Sequence, residues 1–290
     1  MAMLPLFTSS SDVGKLVYVI AGSTASGKSS LAEKIAGKKN GVIINADSLQ
    51  LISALPILTA QPSSAIQKNL PHEMYGIYAP GTVVSAGMWL EKVLEVIEQT
   101  HFMGKLPIVV GGTGFYLKSL LEGLSPIPKI SQEVKGKVQS IFEKSGKEGI
   151  VEVLKQQDPE ILNKYVDPQR LKRALEVILG TGKSISFYQK IKPEVPDFTF
   201  YKILVDMDRA PLRINIKYRM QTMLDLGVLE EVRDFNGETH ALGYHELKTH
   251  LTGEISLKSA LDLMEMKTCQ YAKRQTTWFR NQMVYDEVIK

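Results

Sequence analysis

Eight consecutive residues, Gly22-Ser23-Thr24-Ala25-Ser26-Gly27-Lys28-Ser29, follow the pattern G-x-x-x-x-G-K-S of a phosphate-cradling P-loop. The glycines let the backbone wrap closely around a diphosphate, and successive N–H groups at a helix N-terminus then face its oxygens. Gly22, Thr24, Ala25, Ser26, Gly27, Lys28, Ser29 and Ser30 are therefore candidate diphosphate-binding residues. Lys28 would bring a point charge to the terminal phosphate, and the Ser29 hydroxyl would ligate Mg²⁺. A chain carrying this pattern is expected to bind a phosphorylated substrate.

The loop does not say which reaction follows. Two further strand-like runs end in polar residues: Val42 to Ala46 runs into Asp47-Ser48, with Gln50 beyond, and Leu106 to Val110 runs into Gly111-Gly112-Thr113-Gly114. In open α/β sheets ligands bind beyond the carboxyl ends of the strands, so Asp47 and Thr113 are expected to face one crevice with Lys28. An acid, a hydroxyl and a diphosphate cradle suit phosphoryl transfer. They suit equally the attack of a nucleophile on a carbon whose leaving group is diphosphate. A phosphoryl-transferring kinase would call for a second, metal-holding acid, which is not evident in the chain.

The elements that must position these residues are legible in outline. An apolar run, Leu16 to Ala21, leads into the loop, and a helix-like run, Ser29 to Ala36, leads out of it and is expected to stop at Gly37. Strand and helix patterns alternate up to about Leu124, with a helix predicted over Phe115 to Leu121. Ser125-Pro126-Ile127-Pro128 is a turn signal, after which Ser131 to Lys190 is helical in pattern and more charged. Asp158-Pro159 and Asp167-Pro168 each read as an N-cap followed by Pro at the first helical position. The second opens a helix ending at Gly180 or Gly182. After the linker Lys192 to Pro196, Tyr201 to Met207 reads as a strand returning to the sheet, followed by helices over about Pro211–Leu226, Leu229–Asn236 and Leu257–Thr276. The expected organisation is α/β: a P-loop core begun by residues 1–125, a helical insertion at 126–196, and core completion with C-terminal helices at 197–290.

Composition narrows the class. The 290 residues are 44% hydrophobic and 23% charged, with no apolar run near the roughly 20 residues of a membrane span. The Ser-rich start, Met1 to Gly14, lacks the basic and apolar regions of a signal and reads as a frayed terminus. The single cysteine, Cys269, excludes an intrachain disulfide and a cysteine-based zinc site; it is expected to be a buried, inert thiol in a reducing cytoplasm. The formal net charge of +4 is mild. Basic residues nevertheless cluster at Arg170 to Arg173, at Arg209, Arg213, Lys217 and Arg219, and at Lys273-Arg274 with Arg280. Taken singly each cluster reads as a solvated helix face; together, with Tyr218, Tyr271 and Trp278 among them, they read as a surface for a phosphate backbone.

A series of blocks then occurs in order: Ala21 to Ser29, Asp47-Ser48-Leu49-Gln50, Thr59-Ala60-Gln61-Pro62, Pro71-His72, Val110-Gly111-Gly112-Thr113, Asp167-Pro168-Gln169-Arg170 with Arg173 to Val177, Gly243-Tyr244, and Ala272-Lys273-Arg274-Gln275 with Thr277 to Arg280. Together they resemble the tRNA dimethylallyltransferases (tRNA isopentenyltransferases, the IPP transferase family), over essentially the whole chain. The resemblance implies a P-loop NTPase-like parallel sheet core with an inserted helical domain. It implies transfer of a dimethylallyl group from dimethylallyl diphosphate, with Mg²⁺, to N6 of the adenosine 3′ of the anticodon in tRNAs reading codons that start with U. A related activity, prenylation of free AMP, ADP or ATP, is the alternative; the helical insertion and the basic end argue against it, because a free nucleotide needs no such surface.

The roles implied are specific. Asp47 would take the N6 proton, its alternatives being a metal ligand or a strand-end cap. Lys28 and the loop amides would stabilise the leaving diphosphate, with Thr113 donating to it or else capping the next helix, and with Arg219 among its ligands. Asp47, Ser48, Leu49 and Gln50 would meet the extruded base. Lys135, Gln169, Arg170, Arg173, Lys273, Arg274 and Gln275 would hold the anticodon stem-loop. A monomer is expected. This chain also departs from the family pattern. Asn215 stands where an Arg is usual, so that Arg219 or Arg213 would inherit its role. Gln61 replaces a Lys, Ile52 a Tyr, and Lys135 an Arg. Glu73 to Gly76 differ, and His245-Glu246 would bring an acid near the RNA.

Overall fold

The structure is a computed structural model that describes residues 15–290. The terminus read as frayed lies outside the described residues. In chain order, β1 (Leu16–Gly22), α1 (Lys28–Lys39), β2 (Gly41–Asn45), α2 (Pro56–Thr59), α3 (Ser64–Asn69), β3 (His72–Glu73), α4 (Ala86–Phe102), β4 (Leu106–Gly111) and α5 (Gly114–Glu122) come first. Then follow α6 (Gln132–Gln157), α7 (Pro159–Lys164), α8 (Pro168–Thr181) and α9 (Ile185–Gln189). The chain closes with β5 (Thr199–Val205), α10 (Arg209–Asp225), α11 (Val228–Asp234), α12 (Tyr244–Leu251), α13 (Leu257–Gln282) and β6 (Glu287–Ile289).

The strands form one parallel sheet in the order β3-β2-β4-β1-β5-β6. Every residue of β1 is buried, as a central parallel strand requires, and its side chains alternate between two cores. Val17, Val19 and Ala21 join Trp89, Val93 and Ile97 of α4, Leu117 and Leu120 of α5, and Phe279 of α13. Leu16, Tyr18 and Ile20 join Ala32, Ile35 and Ala36 of α1. β1 and β2 are separated by β4, so the loops leaving all three strands open at the same edge of the sheet. A third core lies among α10 to α13, built on Leu212, Ile216, Met220, Val232, Leu247 and Met264.

The chain divides into two compact units, one comprising residues up to Leu121 together with Pro196–Lys290, the other Glu122–Val195. The second unit is helical and has its own core, in which Val138, Ile150 and Leu154 of α6 meet Leu171, Leu175 and Ile178 of α8. Its longest helix is broken at Gly146, whose φ of 61° and ψ of −158° are not helical.

Several boundaries differ from expectation. α1 runs through Gly37, which tolerates the helix interior, and stops at Asn40, whose left-handed φ of 50° lets its N–H reach back to Ala36. Asp167 caps α8, accepting from the N–H groups of Gln169 and Arg170, and that helix ends at Gly182. Asp158 does not cap α7; it is buried, and its Oδ2 accepts the Ser186 N–H instead. α4, which buries Trp89, Val93, Val96 and Ile97, and β6, a short edge strand, have no bounds marked in the sequence.

Candidate active site

The loop between β1 and α1 carries Ser23, Thr24 and Ser26 buried, and the first turn of α1 carries Lys28 half-buried and Ser29 and Ser30 exposed. Gly27 has φ 89°, a left-handed value that favours glycine at the turn into the helix. The Ser26 hydroxyl is buried without a hydrogen-bond partner among the described residues. Lys28 Nζ donates to Ser23 O at 3.2 Å. Burial lowers its pKa to about 8; the Asp47 carboxylate opposes that shift and the Arg219 guanidinium adds to it.

Helix α10 leans on the loop through two side chains. Arg219 Nη1 donates to Thr24 Oγ1 at 2.8 Å, and burial lowers the guanidinium pKa against the pull of Asp47. Asn215, the neutral residue at the expected Arg position, donates to Ala25 O at 3.0 Å. Of the two arginines considered as heirs to that position, Arg219 reaches the site. Arg213 is exposed, and its Nε donates to Glu265 at 2.6 Å.

Asp47 leaves β2 in a tight turn set by Asn45, a buried residue that composition did not single out. Asn45 Oδ1 accepts the Asp47 N–H at 2.8 Å, and its Nδ2 donates to Asp47 O and Met74 O. Asp47 Oδ1 accepts the Leu49 N–H at 3.1 Å, which leaves Oδ2 without a hydrogen bond among the described residues. Asp47 thus performs the local cap and still offers an oxygen.

A cavity of about 370 Å³ joins these groups. Thr24, Ala25, Gly27, Lys28, Ser29, Asp47 and Arg219 line it together with the apolar Leu58, Ile216, Met220, Met223, Leu242 and Met264. Leu49 and Gln50 also line it. Both hydrogens of the Gln50 amide are spent, on Thr59 O and Ala60 O, so its oxygen is the end left for a ligand. Two tyrosines that sequence did not assign to the site line it as well, Tyr75 and Tyr271. Burial, then the nearby Asp47 carboxylate, pushes the Tyr271 phenol up to about 12 and raises Tyr75 as well, so both are neutral donors at pH 7. Their place in blocks next to His72 and Ala272 was the available signal.

Four expectations are corrected by this geometry. The Thr113 hydroxyl is not turned to the cavity: it accepts the Ser48 N–H at 3.0 Å and donates to Ser48 Oγ at 3.3 Å, tying the ends of β4 and β2 together. Gln275, expected on RNA, is only 6% exposed and has both ends of its amide engaged inside the protein. Glu246 is not an acid facing the RNA; it is buried and paired with Lys267 of α13, and although burial raises its pKa, that hydrogen bond carries it below the usual carboxylate range. Cys269 is half-buried rather than buried, with its thiol pKa raised by desolvation. The missing Lys at Gln61 leaves a structural amide, which donates to Ile52 O at 2.8 Å.

Lys273 and Arg274 lie exposed on α13, beside an open depression that they share with Gln270, Thr277 and Trp278. Arg274 stands over the Tyr271 ring, 5.7 Å from its centroid. In the helical unit, Gln169 and Arg170 are exposed on the first turn of α8, where Arg170 stacks on Tyr165 at 4.9 Å. Arg173 is half-buried and pairs with Glu176 at 3.2 Å, and Lys135 is half-buried near the start of α6. No group of three or more His, Cys, Asp or Glu side chains is placed to hold a metal ion, and no helix is long and apolar enough to cross a membrane, among the described residues.

The chain is 40% identical over 286 residues to the tRNA dimethylallyltransferase of Parvibaculum lavamentivorans, covering 95% of this chain and 90% of that protein. It is likewise 40% identical over 283 residues to the tRNA dimethylallyltransferase of Pelagibacter ubique, covering 94% and 90%. Among solved structures, a eukaryotic dimethylallyltransferase described as acting on tRNA superposes with a TM-score of 0.80 at 30% identity, over 91% of this chain and 69% of that one. The tRNA isopentenylpyrophosphate transferase of Staphylococcus epidermidis does so with a TM-score of 0.63 at 32% identity, over 94% and 92%. With residues 50–282 also matching the family described as IPP transferase, the chain belongs to the IPP transferase family.

Proposed function

We propose that this protein is a tRNA dimethylallyltransferase, transferring the dimethylallyl group of dimethylallyl diphosphate to N6 of the adenosine 3′ of the anticodon. The observation that carries the donor assignment is the mixed lining of this cavity. Lys28, Arg219 and the loop residues suit a diphosphate. The thioethers and branched aliphatic side chains of Leu58, Ile216, Met220, Met223, Leu242 and Met264 suit a small apolar group. The relatives named above support tRNA as the acceptor.

In the reaction the N6 nitrogen attacks the allylic carbon, the C–O bond to diphosphate breaks, and the N6 proton leaves to a base. Asp47 is that base: it lines the cavity, its Oδ2 has no hydrogen bond among the described residues, and Asn45 fixes the turn that presents it. Lys28, Arg219 and the loop N–H groups meet charge that grows on the diphosphate as the bond breaks, so they act most strongly in the transition state. The Ser29 hydroxyl and the diphosphate itself are donors that fit Mg²⁺, which keeps several waters and takes few protein ligands. When bound, the ion would neutralise diphosphate charge. The target base must leave the anticodon loop to reach this depth. Lys273 and Arg274, and in the helical unit Lys135, Gln169, Arg170 and Arg173, are the groups assigned to the RNA backbone. A monomer is the proposed working form.

The deciding experiment incubates the protein with dimethylallyl diphosphate and Mg²⁺, with unmodified tRNA reading codons that start with U in one reaction and AMP in another. Prenylated adenosine beside the anticodon, and none from AMP, is the expected result. Product from AMP would move the activity to free nucleotides, and no product in either reaction would refute the assignment.

A further inference from the structure

The structure assigns Gln275 the role of a positioning residue that clamps the tip of the diphosphate loop to the RNA-facing helix; the assignment rests on the donor-site reading above. Its side chain crosses from α13 into the gap between two strand ends. Gln275 Oε1 accepts the Thr24 N–H at 2.8 Å, and its Nε2 donates to Gly112 O at 2.9 Å. Both bonds are buried, and their partners lie 251 and 163 residues away in sequence. The space is built for this amide: a Cβ at Gly112 would stand 2.4 Å from Gln275 Nε2.

Two consequences follow from that geometry. The Thr24 N–H, one of the loop donors, points at Gln275 and not at a phosphate, so the tip is held in place by the protein while the later amides serve the ligand. Thr24 is in fact gripped twice, since Arg219 binds its hydroxyl, and Asn215 holds the next carbonyl. The second consequence concerns the same turn of α13. Ala272 and Gln275 face inward, while Lys273 and Arg274 face outward to the solvent. The turn that presents Lys273 and Arg274 to solvent is therefore the turn that anchors the loop. Preorganisation of this kind acts on donor binding, because loop donors held in position need no rearrangement when the diphosphate arrives.

Gln275→Met keeps the volume and removes both hydrogen bonds. It is expected to raise the KM for dimethylallyl diphosphate and the Kd for inorganic diphosphate on the order of tenfold, the scale of a buried donor and acceptor left unpaired. The KM for tRNA should stay within about twofold of the parent, as for any group off the RNA surface. A merely structural defect would lower the active fraction and leave both KM values where they were, which would overturn the role. So would a loss of tRNA affinity matching that of Lys273→Ala with diphosphate binding unchanged. Amide hydrogen exchange of Thr24 in the parent protein without ligand gives a reading that does not depend on the variant folding: protection is expected, and rapid exchange overturns the clamp. Failure of the parent to bind inorganic diphosphate at all would overturn the donor-site reading together with this role, whereas equal binding by parent and Gln275→Met overturns this role alone.

Discussion

At Asp47 one carboxylate oxygen is spent on the Leu49 N–H and the other has no hydrogen bond among the described residues. Replacing Asp47 with Asn preserves the turn, because an amide oxygen accepts the same N–H, but removes the proposed base. Turnover is therefore expected to fall about 10²- to 10⁴-fold, with tRNA affinity by filter binding unchanged; unaltered turnover would sink the assignment. Lys28 supplies a pH signature. Its pKa of about 8 in the free protein means the ammonium is present below that value and is lost as pH rises through it. The kcat/KM for the donor should accordingly decline above about pH 8, while kcat, which reports the donor-bound state, should decline less because diphosphate favours the charged lysine. In Lys28→Arg the decline should vanish. That Lys28 and Asp47 line one cavity was legible in the sequence because their placement is carried by neighbours: a loop pattern and a strand end. The placement of Gln275 and Thr113 was not, because an exposed-looking amide and hydroxyl find partners 251 and 65 residues away, and only the fold reveals that those partners have consumed them.

At the scale of elements, the C-terminal helix has two faces with separate duties. Its inner face, through Ala272, Gln275 and Phe279, packs on the sheet and loop, and Trp278 closes over Gly114, where an added Cβ would lie 2.2 Å from the indole. Gly114→Ala should displace that indole and destabilise the fold by about 1–3 kcal/mol, read as a lower denaturation midpoint. The outer face carries Lys273. Lys273→Ala is expected to weaken tRNA binding across all tRNAs and to reduce the slope of log K against log salt by about one, with donor KM unchanged; an unaltered slope would remove Lys273 from the phosphate contacts. The helix was legible from its apolar period, but not its division of labour. The Lys-Arg-Gln run reads as one polar patch in sequence, and it is the 100° step of the helix that sends two of the three outward and the third into the core.

The molecule as a whole keeps its chemistry and its helical insertion in separately built units. Every group named at the cavity belongs to the unit around the sheet, and the unit Glu122–Val195 closes its own core without them. The ends of the second unit, Glu122 and Val195, fall beside Ser125 to Pro128 and Lys192 to Pro196, which punctuate the chain. The return of β5 beside β1, at register Leu16 to Thr199, was legible only as an apolar run after the linker. Two cores predict two separable failures. Ile150 is fully buried in α6 against residues of the insertion alone. Ile150→Ala should therefore destabilise that unit by about 2–5 kcal/mol through the lost burial and the cavity left behind. Because the sheet unit is untouched, inorganic diphosphate should bind with parent affinity while tRNA binding and turnover fall. The matching substitution on the other side, Val19→Ala in the fully buried centre of β1, should reduce both together. A parallel loss of diphosphate affinity in Ile150→Ala would mean that the insertion supports the donor site directly, and that the two cores share one stability.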